Sequence, residues 1–72
     1  MDYKTISKNT SIGDAKEILN INGIKTPRGW ELVMGMLLQQ CHHLEVDGYG
    51  SSARFYLYDE DNNPVEYKEI KI

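Results

Sequence analysis

Between Trp30 and Cys41 the apolar residues Trp30, Val33, Met34, Leu37, Leu38 and Cys41 fall at steps of three and four, and from Leu44 onward the apolar step is two. Steps of three and four line one face of a helix, and steps of two line one face of a strand. A helix therefore gives way to sheet near His43. The chain has 72 residues, which is enough for one domain, 1–72, and no second one. Hydrophobic residues at 40% and charged ones at 26% are a globular balance and exclude a disordered chain. A domain this short buries only about 60% of the surface its unfolded chain exposes, so a second subunit is an open question from the start. A catalytic cleft of several hundred cubic ångströms would hollow out most of its core.

The remaining elements follow from local signals. Ser11 with Asp14 three residues on resembles a capping box, and Ile12, Ala15, Ile18 and Leu19 mark one helical face behind it. Asn22-Gly23 stops that helix, because glycine takes the left-handed conformation that closes a last turn, and Ile24 folds back onto the apolar side. Thr26 caps the second helix, with Pro27 at its first position. Leu32 and Met36 fall nearly opposite the main stripe, beside Gln39 and His43, so this helix is either sandwiched or offers Leu32 and Met36 as a homodimer contact. His42 and His43 are expected at its frayed, exposed end.

Leu44 and Val46 then face inward in a short strand, and Asp47 to Ser52 form a loop. Ala53 to Tyr58 is a strand. Pro64 or Val65 to Ile72 is its antiparallel mate across a turn centred on Asn62-Asn63. That turn sets Tyr58 opposite Tyr67, Tyr56 opposite Glu69, Phe55 opposite Ile70 and Arg54 opposite Lys71. Ala53, Phe55, Leu57, Ile70 and Ile72 then take the core side, and Arg54, Tyr56, Tyr58, Val65, Tyr67 and Glu69 the other. The expected fold is α+β, two helices packed on a C-terminal antiparallel three-stranded meander, with Asp2 to Ile6 able to add a short edge strand.

Several arrangements that suggest chemistry fail on geometry. Cys41-His42-His43 carries zinc's preferred ligand types, but neighbours on a helix point about 100° apart and no CxxC or HxxxH accompanies them. Gly48-Tyr49-Gly50-Ser51-Ser52-Ala53 has the letters of a dinucleotide fingerprint, yet it opens a strand where that motif must open a helix. Asp59-Glu60-Asp61 followed by two asparagines lacks the spacing and flanking helices of a calcium loop. Ser51 or Ser52 with a histidine and Asp47 makes a triad only on paper, with no strained nucleophile turn. No catalytic residue, metal or cofactor is assigned, and the expectation is that the protein is not an enzyme.

Charge points toward a partner. The net charge is -3, and acids and bases cancel as far as Tyr58, so the whole excess lies from Asp59 onward. A nucleic-acid binder usually shows clustered Lys and Arg, since phosphate neutralisation supplies much of its affinity. One cysteine forms no internal disulfide, and the N-terminus lacks the apolar core of a signal peptide, which together suggest a cytoplasmic protein. Tyr56, Tyr58 and Tyr67 on the non-core side supply rigid amphipathic contact area of the kind enriched at interfaces. Asp59, Glu60 and Asp61 add acidic steering, and Arg54 lies beside the tyrosines. The expectation is a regulator or inhibitor that binds a protein with a basic surface, of the sort often encoded by mobile elements, with no membrane involved.

The order of elements over Ser11 to Tyr58 resembles a winged helix-turn-helix domain. Ala15-Lys16-Glu17-Ile18-Leu19 stands as the first helix of the pair, Gly23-Ile24-Lys25-Thr26 as the turn, Pro27 onward as the recognition helix, and Leu44 to Tyr58 as the wing. The resemblance implies a DNA-binding transcriptional regulator as the alternative function, with Thr26, Arg28 and Glu31 on the helix and Arg54 on the wing as contacts. Arg28 is the only base in the first turns of that helix, and ten leading residues are too few for the family's additional helix, so this reading stands second.

Overall fold

The computed structural model describes residues 2–71. Its elements are β1 (Thr5–Ser7), α1 (Ile12–Ile21), α2 (Pro27–Glu31), β2 (His43–Tyr49), β3 (Ser52–Tyr58) and β4 (Pro64–Lys71). The second helix does not stop at Glu31. It widens into a π-helical turn over Leu32–Met36 and tightens into a 3-10 turn over Leu37–Gln39. The widened turn contains Gly35, the weakest helix former in the segment. The strands form one antiparallel sheet in the order β1-β2-β3-β4. The molecule is the expected α+β fold, its C-terminal meander extended by an N-terminal edge strand over Thr5–Ser7.

The caps operate as the residue types require. The Ser11 hydroxyl accepts from Asp14 N–H at 3.2 Å, and the Thr26 hydroxyl accepts from Gly29 N–H at 3.2 Å. Gly23 has φ 91°, and Ile24 N–H returns to the Leu19 carbonyl at 2.8 Å, burying Ile24. Trp30 is half-buried, donates its indole N–H to the Ile24 carbonyl at 2.9 Å and lies under the Lys16 ammonium, so the interhelical turn is clamped from both sides.

One core joins helices and sheet. Ala15, Ile18 and Leu19 from α1 and Val33, Leu37, Leu38 and Cys41 from the second helix meet Ile6, Leu44, Val46, Ala53, Phe55 and Leu57 from the sheet. Along β3 exposure alternates residue by residue, with Ala53, Phe55 and Leu57 fully covered. Both helices therefore pack on one face of the sheet and leave the other open. Ile12, expected on the buried face of α1, is instead 68% exposed. Ile72 lies outside the described residues.

Two hairpins differ from their expected form. The β2–β3 connection is not a six-residue loop: pairing continues to Tyr49↔Ser52, leaving Gly50 and Ser51 as the turn. The β3–β4 connection is longer than two asparagines. Asp59 N–H donates to the Asn63 carbonyl and Asn62 N–H to the Asp59 carbonyl, both at 3.0 Å, so residues 59–63 form the loop. Tyr58 then pairs with Pro64 and Leu57 with Glu66, which leaves Val65 as a bulge. The register moves by two residues, to Tyr56↔Tyr67, Arg54↔Glu69 and Ala53↔Ile70. A shift of two preserves the side to which each residue points, so the predicted faces of Ala53–Tyr58, Tyr67, Glu69 and Ile70 survive although every predicted pair is replaced. Val65, expected beside the tyrosines, instead lies in the bulge and lines a cleft with Gln39, Cys41 and His42.

Candidate functional site

The open face of the sheet is built by strand alternation. Val46, Phe55 and Leu57 point into the core, so Glu45, Asp47, Arg54, Tyr56 and Tyr58 point away from it. The register aligns these residues into rows. Thr5, Glu45, Tyr56 and Tyr67 cross all four strands; His43 and Tyr58 lie in the next row, and Asp47, Arg54 and Glu69 in the row on the other side.

Tyr56 and Tyr67 are direct cross-strand neighbours with ring centroids 5.3 Å apart, and Tyr67 is 51% exposed. The three predicted tyrosines thus share one face. Arg54 lies opposite Glu69, with Nε 3.7 Å from Oε2, and the Tyr67 hydroxyl donates to the same carboxylate oxygen at 3.4 Å. Loss of surrounding water and then the Glu69 charge push the Tyr67 phenol above its ordinary pKa. The Arg54 guanidinium is held above its own ordinary value, first by Tyr67 and then by bonding to Tyr56 and the Glu69 charge. The two side chains and Glu69 form one polar cluster among the rings.

His43 belongs to this face, a placement that helical spacing concealed. It is not at a helix end. The second helix finishes at Gln39, and His43 begins β2 opposite Tyr58, stacking on its ring at 5.4 Å with an interplanar angle of 13°. Its Nε2 lies 2.8 Å from Asn62 Oδ1, and its Nδ1 lies 3.0 Å from His42 Nδ1. An amide oxygen only accepts, so His43 Nε2–H is the donor to Asn62. His43 thereby ties the 59–63 loop to the tyrosine rows. The signal was present in the sequence as the first even step of the strand period, one residue before Leu44.

The acidic turn divides into two roles. Asp59 Oδ1 accepts from Asp61 N–H at 3.0 Å and from Asn63 N–H at 2.9 Å, so this carboxylate shapes the loop. Glu60 and Asp61 are exposed at its tip.

Other predicted residues lie elsewhere. Leu32 lines a cavity of about 380 Å³ between the second helix and the core side of β3 and β4, with Arg28 at its border. Met36 is 56% exposed and lies outside that lining. Both residues belong to the π-helical turn Leu32–Met36. Thr26 caps its helix. Arg28 borders the core side of the sheet and Arg54 stands on the open side. Cys41 points inward and donates its thiol to the Leu37 carbonyl at 3.3 Å; burial raises its pKa. Among the described residues no three His, Cys, Asp or Glu side chains converge to hold a metal, and no helix is long and apolar enough to cross a membrane. Comparison of the chain with protein-family models, curated proteins and solved structures gave no match.

Proposed function

We propose that this protein is a small non-enzymatic binding protein, a regulator or inhibitor, that docks a protein partner with a basic surface on its open sheet face. The observation that supports this reading is the row of tyrosines on a face no helix covers, interleaved with Glu45, Asp47 and Glu69 and flanked by Glu60 and Asp61. Aromatic rings of this kind provide contact area at low conformational cost, and surrounding acids speed encounter with a cationic surface. Tyr56, Tyr58 and Tyr67 hold the partner, Arg54 and His43 set the orientation of the rings, and the 59–63 loop steers association.

The test is capture from the native host with wild-type protein and with Tyr56→Ala/Tyr67→Ala as parallel baits. A specific partner should be kept by the first and lost by the second. For that partner, Glu60→Lys/Asp61→Lys should slow association and flatten its salt dependence. Equal capture by both baits would sink the reading. Duplex DNA bound at low salt and released by Arg28→Ala and Arg54→Ala would replace it with the winged-helix alternative.

A further inference from the structure

The sheet has two edges of unequal character. β1 is three residues long, whereas β4 has eight, pairs only with β3, and carries exposed Val65 and Tyr67. The direction of its free backbone groups follows from the ladder. Val46 N–H donates to the Lys4 carbonyl, so even-numbered residues of β2 bond toward β1 and odd-numbered ones toward β3. Carrying the alternation across the observed registers, Ala53, Phe55 and Leu57 bond toward β4 and are answered by Ile70, Lys68 and Glu66. Tyr67 and Glu69 therefore turn their N–H and C=O groups outward along the edge. A long edge with free donors and acceptors is a template for another strand.

We propose that β4 pairs with β4 of a second copy, antiparallel and centred on Tyr67, to give a dimer with a continuous eight-stranded sheet. Charge selects the occupant and the register. Centring on Glu66, Lys68 or Glu69 would set a like charge directly opposite itself, which is destabilising. Centring on Ile70 leaves only Glu69, Ile70 and Lys71 of the described strand to pair. Centring on Tyr67 places Glu66 opposite Lys68 of the second copy, twice, at the close-approach positions of the ladder. Within one chain these two side chains already lie 3.8 Å apart on the helix side of the strand. The dimer thus surrounds its axis with four alternating charges on one face. On the other, Tyr67 meets Tyr67 and the tyrosine rows of both copies join. This self-complementary pattern points to a second copy in preference to an unrelated strand.

The dimer does not depend on the protein partner proposed above, and three of the four variants that test it leave the tyrosines intact. Sedimentation velocity across a concentration series should give a species of twice the chain mass. Glu66→Lys and Lys68→Glu should each weaken the dimer by at least about tenfold, and the double swap should bring it back within about threefold of wild type, because it rebuilds both pairs. Tyr67→Pro should abolish the dimer without removing a β3–β4 hydrogen bond, since that N–H faces outward. Far-ultraviolet circular dichroism confirms that each variant is folded. A protein that stays monomeric to about 1 mM overturns the proposal. So does a dimer unaffected by Tyr67→Pro, or one that the double swap fails to restore.

Discussion

Asp59 shows how one side chain can belong to a feature without sharing its role. In the chain it is the first of three consecutive acids, yet its carboxylate accepts two backbone N–H bonds and Glu60 and Asp61 do not. Asp59→Ala should destabilise the fold by about 1–2 kcal/mol, read from denaturant midpoints, whereas Glu60→Ala should change stability by less than about 0.5 kcal/mol. Tyr67 adds a pH effect with a definite sign. Its folded pKa lies above the ordinary tyrosine value, so the unfolded chain loses the proton first as pH rises. Below the ordinary value the group contributes nothing to pH dependence; above it stability falls until the folded value is passed. Between about pH 9 and pH 11 wild type should lose more stability than Tyr67→Phe in parallel denaturant titrations. Strand alternation made Tyr56, Tyr58 and Tyr67 legible as aromatics of the open face, and helical spacing left His43 with the helix because its spatial neighbours, Tyr58 and Asn62, are distant in sequence.

Among the elements, the starts of both helices and the stop of α1 were readable, whereas the end of the second helix and the extent of β2 were not. Ser11, Thr26, Pro27 and Gly23 act within four residues of where they stand, so their chemistry can be read locally. Strand ends depend on pairing. Gly48 illustrates the difference: it looks like loop glycine, but it lies in β2 against α1, where a Cβ would collide with the Asn22 backbone carbonyl. Asn22 itself, a helix stop in the sequence, donates to the Tyr3 carbonyl at 3.0 Å and the Ile18 carbonyl at 2.8 Å and accepts from Gly48 N–H at 3.4 Å. Its side chain thus joins α1, the entry to β1, and β2. Gly48→Ala should cost about 1–3 kcal/mol by overpacking this junction, while Gly13→Ala, where nothing lies within 4 Å, should cost none; thermal melts of the two compare them directly.

At the scale of the whole molecule, one small core carries the fold. Phe55 is fully buried at the centre of the layer between helices and sheet, and Phe55→Ala should cost about 3–5 kcal/mol, enough to unfold much of the population of a domain this short. Cys41 offers an independent readout. Its thiol is buried and its pKa raised, so alkylation should proceed at the rate of opening in wild type and far faster in Phe55→Ala.

The apolar periods of the chain by themselves determined the two helices, the strands after His43, and the division of β3 and β4 into a core side and an aromatic side, because side-chain direction repeats every 3.6 or every two residues whatever the partner. Only tertiary structure decided which residues on the aromatic side touch. The five-residue loop held by Asp59 and the bulge at Val65 move β4 by two positions, and beyond the bulge such a move leaves each face unchanged while replacing every neighbour. Tyr56 therefore meets Tyr67 and Arg54 meets Glu69 through a turn whose geometry depends on hydrogen bonds that hydrophobic spacing does not record.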